Sequence, residues 1–333
     1  MIKKISLLII LIFVVLIATY HNVIIRTYKD YQSLKLSKSR AEIYRLKGNT
    51  DFKDITEQLS LDESIPAELK APLISGDRKI VIFKYLSDGH EVAGYFSYLT
   101  NQKQSPTLIF LRGGNKFFGL MRPNNRFSFL KGYNVVGTLY RGNIYKGKDE
   151  FGGEDVHDVE NLLKFIPRLE DFSNVKLQAP YTMMGVSRGA LEMFLSLQQS
   201  KYVQQLVNKA ISVSGNVDLQ VTMQQRPDMK YLFKQFFENS AHTTFENWIK
   251  NRNPVNNLTN IPKTLKVLIV YGTADDRVSL QEQLNLKQAL EKENIYSRFV
   301  TINGADHGFE NHFNEFEKTA LQFMNDINSQ LET

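Results

Sequence analysis

From residue 107 onward the chain alternates short strand-like runs with stretches of helical period, and few folds accept that pattern. The runs are Thr107–Leu111, Asn134–Leu139, Tyr181–Gly185, Lys209–Val213, Lys266–Gly272 and Ser297–Ile302, each closed by a turn-forming cluster. Helical patterns stand at about Glu154–Leu169, Gly189–Gln199, Ser279–Lys292 and Asn311–Gln330. Apolar strands alternating with helices predict an α/β fold, a mostly parallel sheet covered on both faces. Ahead of it, Arg78–Tyr85 and Glu91–Leu99 flank Ser87-Asp88-Gly89 and read as an antiparallel hairpin. Residues 217–262 interrupt the alternation with two predicted short helices, about Met229–Glu238 and Thr244–Lys250. They read either as a small lid, with Trp248 as a candidate substrate contact, or as ordinary crossover helices.

Charge is unevenly placed. Residues 1–50 hold nine Lys/Arg and two acids, which leaves 32 bases against 33 acids on the rest of the 333-residue chain. A nucleic-acid-binding domain would carry its basic patch on the fold itself, so that class is disfavoured. Lys3 and Lys4 precede an apolar run, Ile5–Ala18, broken only by Ser6, which is long enough to span a bilayer core when extended through Thr19, Tyr20, His21 and Asn22 to Ile25. No pair of small residues follows Ala18 to mark a cleavage site, so the segment reads as a signal-anchor ahead of a cleaved signal peptide. The expectation is a catalytic domain on the exported side, tethered to the membrane or, if cleaved, secreted. Residues 26–75 are polar, with one predicted helix at about Tyr28–Lys47, and read as a juxtamembrane spacer and an arm leading to a domain over 76–333. The absence of cysteine excludes disulfide scaffolds, thiolate metal sites and cysteine nucleophiles.

The chemistry is carried by Gly185-Val186-Ser187-Arg188-Gly189, which follows an apolar strand and opens a helix. A G-x-S-x-G turn in that context places the serine on a sharp bend that only small neighbours tolerate. A serine hydroxyl needs a base, and in this chain order an acid and then a histidine should follow. His242, His307 and His312 lie after Ser187; His307, in the loop Gly304–Phe309 after the last strand, is the best placed. The acid comes from Tyr271–Val278, where Asp275 or Asp276 can orient the imidazole, with spacing favouring Asp275. Two backbone donors for an oxyanion are expected from the N–H of Arg188 and from Arg112-Gly113-Gly114-Asn115, with Gly114 the candidate there. The Arg112 side chain can add to that hole, bind a substrate carboxylate or form a structural ion pair.

These residues resemble the α/β-hydrolase fold and, within it, the catalytic domain of the prolyl oligopeptidase (S9) family. The resemblance spans roughly residues 76–330 and rests on RGGN after the first parallel strand, YRGN with GKDEFGGEDVHDV, GVSRGA, NPVNNL, YGTADDRV and GADHGF. It implies Ser187 as nucleophile, Asp275 as acid and His307 as base, with no metal or organic cofactor and a short peptide or small acyl substrate. It further implies that Asp149, Glu150, Glu154 and Asp155 form a structural turn, with Arg141 paired to Asp155. Two departures stand out: residues 26–75 are too few for the β-propeller that commonly precedes this domain, and Arg112 stands where an oxyanion-hole tyrosine is frequent. A carboxylesterase without peptidase activity and a non-catalytic binding protein of the same fold are the alternatives.

Overall fold

Side chains on a strand alternate between faces, so a run that is apolar at every position must be covered on both sides. The computed structural model shows this for the central runs. It describes residues 41–48, 50–63, 65–115, 126–238 and 243–326, with Ile25, Tyr28, Tyr31, Gln32 and Lys35 ahead of them. Among these residues nine strands form one sheet: β1 (Phe52–Asp54), β2 (Arg78–Ser87), β3 (His90–Leu99), β4 (Gln104–Leu111), β5 (Asn134–Thr138), β6 (Lys176–Val186), β7 (Val207–Val213), β8 (Lys266–Gly272) and β9 (Ser297–Ile302). Their order across the sheet is β1-β2-β3-β5-β4-β6-β7-β8-β9. From β5 to β9 every pairing is parallel, while β1, β2, β3 and β5 pair antiparallel. The β2–β3 hairpin turns on Asp88 and Gly89, both at positive φ, as a two-residue turn matched to strand twist requires.

One face carries Ile109, Leu111, Met183, Ala210, Val267 and Ile269 under four helices: α3 (His157–Ser173), α4 (Arg188–Gln199), the short α5 (Lys201–Leu206) and α9 (Leu280–Lys292). The other face carries Leu108, Phe110, Met184, Ile211, Leu268 and Val270 under α10 (Phe313–Asn325), the turn at 126–129 and the N-terminal arm. Lys209 Nζ reaches from β7 to the carbonyls of Phe323, Met324 and Asp326 at 3.1, 2.6 and 3.1 Å, placing a cation on the C-terminal end of α10.

The arm corrects the predicted domain boundary at 76. Ala41–Tyr44 form a single 3-10 turn that ends before Arg45, so the helix expected to continue to Lys47 stops earlier. Beyond it, β1 pairs with β2, and α1 (Thr56–Ser60) and α2 (Ala67–Ile74) pack on the sheet face. Tyr44, Ile55, Leu59, Ile65 and Leu73 are buried there. These apolar residues are widely spaced among polar ones, and only the sheet face that receives them shows that they form part of the core. The run Ile5–Ile25 lies, except for Ile25, outside the described residues. Among the described residues no helix is long and apolar enough to cross a membrane.

The segment between β7 and β8 folds as α6 (Leu219–Gln225), α7 (Pro227–Glu238), α8 (Phe245–Asn251) and two short 3-10 turns. The two predicted helices stand within two residues of their expected bounds, and α6 was not anticipated. Leu219, Phe233, Trp248 and Ile249 pack with Phe151 and Val156 against Leu191 and Leu195 of α4. The insertion therefore rests on the helix that begins at Ser187.

Candidate active site

At the end of β6 the backbone bends sharply into α4, and Ser187 sits at the bend with φ 54 and ψ −121. Positive φ in a non-glycine residue is strained, and such residues persist only where their surroundings over-determine them. Here the Ser187 N–H donates to the Val213 carbonyl at 2.9 Å, and its own carbonyl accepts from Ala190 and Asn216 N–H, each at 3.0 Å. The glycines on either side answer to close backbone approach. A Cβ on Gly185 would lie 2.4 Å from Ala190 N, and one on Gly189 would lie 2.0 Å from the Leu111 carbonyl oxygen. This is the geometry that the G-x-S-x-G spacing predicts.

The loops after β8 and β9 are stitched together. Thr273 N–H donates to Ile302 O at 3.0 Å, and Ala274 N–H donates to Ala305 O at 2.9 Å. That stitching brings His307 to Asp275: the His307 Nδ1 lies 2.9 and 3.1 Å from the two Asp275 oxygens. Asp275 Oδ1 also accepts from the N–H groups of Arg277 at 2.8 Å and Val278 at 3.0 Å. The Asp275 side chain is fully buried, whereas the His307 side chain keeps 18% of its surface exposed. Burial pushes the Asp275 carboxyl up, but the bonds from His307 and Val278 outweigh it and hold the group below the usual aspartate value. With Nδ1 engaged, Nε2 is the ring nitrogen left for proton transfer. Both oxygens of Asp275 lie on the His307 Nδ1, whereas Asp276 is exposed, so Asp275 is the partner of His307. His312 stands at the N-terminal cap of α10, and His242 lies outside the described residues.

The loop after β4 runs against Ser187. A Cβ on Gly113 would come within 3.0 Å of Ser187 Cβ and 3.7 Å of Ser187 Oγ. Gly114 follows at φ 73, and Arg188 supplies the first N–H of α4. The Arg112 side chain, however, is 1% exposed and turned inward. It donates to the carbonyls of Gly113 at 2.9 Å and Leu139 at 3.1 Å, so it is not presented to a substrate carboxylate. Burial lowers its pKa to about 10, which leaves it charged at neutral pH. Trp248 is likewise corrected as a substrate contact. It is 2% exposed, enclosed by Phe233, Phe237 and Phe245, with the Arg252 guanidinium 4.0 Å above its ring.

The expected Arg141–Asp155 pair is also replaced. Arg141 binds Asp158 and Asp88, each at 2.8 Å, while Asp155 pairs with the Arg188 side chain. The Arg188 guanidinium further binds Asp149 at 2.7 Å and Glu192 at 2.9 Å. Sequence reasoning assigned Arg188 only a backbone role. The available signal was an arginine on the buried first turn of a helix, with Glu192 one turn later. One group with metal-ligand spacing, Asp88–Glu154–His157, occurs among the described residues; it is exposed, and its Asp88 is already paired to Arg141.

Parallel strands with Ser187 at the β6–α4 bend, Asp275 after β8 and His307 after β9 define an α/β-hydrolase fold. The acylaminoacyl peptidase of Pyrococcus horikoshii superposes on 73% of the chain with a TM-score of 0.59 at 18% identity, and the chain spans 41% of that protein. The esterase Pf2001 of Pyrococcus furiosus superposes on 73% of the chain with a TM-score of 0.52 at 18% identity, and 88% of that protein is covered. The model of the prolyl oligopeptidase family matches residues 126–329, and the chain belongs to that family. An uncharacterized peptidase, YtmA, of Bacillus subtilis (strain 168) is 28% identical over 211 residues, covering 62% of this chain and 78% of that protein. The chain is a serine hydrolase.

Proposed function

We propose that Ser187 is the nucleophile of an acyl hydrolase that cleaves short peptides or small acyl esters. Its Oγ attacks the substrate carbonyl as His307 Nε2 accepts the proton. Asp275 holds the imidazole in the required tautomer and stabilises the imidazolium. The N–H groups of Arg188 and Gly114 receive the oxyanion. His307 then returns its proton to the leaving group, and water releases the acyl group from Ser187 with His307 again as base. The observation that carries this reading is the buried Asp275 bonded to His307 Nδ1 on the same sheet edge as the strained Ser187. Helices α6–α8 form one wall of the substrate site; in support, Arg226 Nη1 donates to the Arg277 carbonyl at 3.1 Å, tying the insertion to the loop of Asp275. The apolar run Ile5–Ile25 tethers the domain to a membrane.

A carboxylesterase without peptidase activity is the alternative reading, and the esterase Pf2001 is among the proteins that share this fold. Covalent labelling with a fluorophosphonate tests the mechanism. Labelling of the wild type that disappears in Ser187→Ala is expected, and equal labelling of a folded Ser187→Ala removes Ser187 from the mechanism. Competition by a peptide amide against a short-chain ester separates the two substrate classes.

A further inference from the structure

Three consecutive carbonyls of the loop after β4 are held from the protein interior. The Tyr140 hydroxyl donates to the Arg112 carbonyl at 3.2 Å. Arg112 Nη1 donates to the Gly113 carbonyl at 2.9 Å, and Arg188 Nη1 donates to the Gly114 carbonyl at 3.1 Å. A trans peptide is planar, so a C=O pinned on one side aims the next residue's N–H to the opposite side. The bond to Arg112 O thus orients the Gly113 N–H, the bond to Gly113 O orients the Gly114 N–H, and the bond to Gly114 O fixes the peptide that follows.

The two guanidiniums are themselves fixed. Each is 1% exposed, and Asp149 lies between them, 2.7 Å from Arg188 and 4.0 Å from Arg112. The Tyr140 ring is shared as a cation–π partner, 5.3 Å from Arg112 and 4.8 Å from Arg188. Asp155 and Glu192 complete the hold on Arg188. Two adjacent glycines cannot restrain their own peptides, because glycine has the widest backbone freedom. Oxyanion donors stabilise a transition state only when preorganised. Arginine suits this task because its planar fork presents five N–H donors in fixed directions.

We propose that Arg112 is a positioning residue, which acts through the Gly113 carbonyl to hold the Gly114 N–H in register with Ser187, while Tyr140 and Arg188 fix the peptides on either side of it. The inference rests on the serine-hydrolase mechanism proposed above. It assigns the buried charge cluster a part in transition-state binding rather than in stability alone.

The test compares wild type, Tyr140→Phe, Arg112→Lys and Arg112→Met on a short-chain p-nitrophenyl ester. A trifluoromethyl ketone serves as a tetrahedral oxyanion mimic. Tyr140→Phe keeps the ring and removes one donor; it is expected to melt like wild type, lose kcat about 3–10-fold at unchanged KM, and bind the ketone correspondingly more weakly. Arg112→Met is expected to lose about 10–100-fold in kcat, a fraction of the loss on deleting an oxyanion donor outright. Arg112→Lys, which can still reach one carbonyl, is expected to recover part of it. Should Arg112→Met fail to fold, Tyr140→Phe and Arg112→Lys decide. Folded variants with kcat and ketone affinity within twofold of wild type overturn the inference, as does a loss that tracks melting temperature with kcat and KM changing together. Absence of Ser187-dependent turnover in the wild type overturns the mechanism itself, which separates the two failures.

Discussion

Replacing Gly189 by alanine tests how closely the nucleophile's helix approaches the oxyanion loop. The added Cβ would lie 2.0 Å from the Leu111 carbonyl oxygen, 2.6 Å from its carbon and 2.9 Å from the Arg112 carbonyl oxygen. All three are backbone atoms of β4 and the loop that continues it, so no side chain can swing aside. Restoring ordinary contact requires a separation of about 1 Å between the start of α4 and the end of β4 in a close-packed interior. Overpacking of this kind costs about 3 kcal/mol, and a misplacement of about 1 Å at a reacting centre costs about 100-fold in rate. Two other glycines calibrate the effect. Gly113→Ala meets Ser187 Cβ and Val186 O at 3.0 Å, which a shift of a few tenths of an ångström relieves; about 1 kcal/mol and a 3–10-fold loss of kcat are expected. Gly132 has φ +75 with nothing within 4 Å of a Cβ, so Gly132→Ala should cost about 1 kcal/mol in backbone strain and leave kcat unchanged. Thermal melts followed by circular dichroism and ester kinetics below the melting range measure both quantities. A Gly189→Ala protein with wild-type melting and kcat, or a Gly132→Ala protein that loses as much kcat, would refute the steric reasoning.

Asp275→Asn should preserve the fold yet lower kcat about 1,000–10,000-fold, because the imidazole loses its tautomer control; a loss below tenfold would remove Asp275 from the mechanism. Because the folded Asp275 sits below its unfolded value, it contributes stability above about pH 4 that is lost as pH falls through the folded pKa. Denaturant titrations should therefore show the stability advantage of wild type over Asp275→Asn shrinking as pH falls below about 4, and an advantage that stays constant with pH would exclude the linkage. Glu282 shows the opposite sign: burial raises its carboxyl to about 8, so stability is lost as pH rises from the unfolded value near 4.3 to about 8. Glu282→Gln keeps acceptors for the Asn216 amide and the Asp218 N–H, and denaturant titrations should show it gaining on wild type between pH 5 and pH 8; a pH-independent difference would exclude this linkage. Lys209→Met should cost about 1–2 kcal/mol by leaving three carbonyls at the end of α10 without their cation, and an unchanged urea midpoint would show the contact to be idle.

Much of the candidate site is local in sequence, which is why it is legible there. Ser187 announces itself through two glycines four residues apart between a strand and a helix: Gly185 meets the backbone of Gly189 and Ala190 within the same turn, and Gly189 meets the Leu111 carbonyl of β4. Asp275 and His307 each follow a strand of the parallel sheet, and parallel order carries both to the same edge. Spacing favours Asp275 over Asp276, and in the fold it is the Asp275 carboxylate that faces His307 Nδ1, because neighbouring residues in a turn point in different directions.

Local pattern thus determined the strands, the bend at Ser187 and the chain order of Ser187, Asp275 and His307, because period and turn chemistry act over a few residues. Tertiary structure alone decided what Arg112, Arg188, Arg141 and Trp248 do. An arginine in sequence is equally a surface charge, a substrate anchor or a buried clamp. Only the arrival of Asp149 and Asp155 from the loop before α3, beside Glu192 one turn along its own helix, removes water from Arg188 and fixes its donors on the loop beside Ser187. The arm over residues 41–75 followed the same rule: its scattered apolar residues gained a core only when the sheet face was there to receive them.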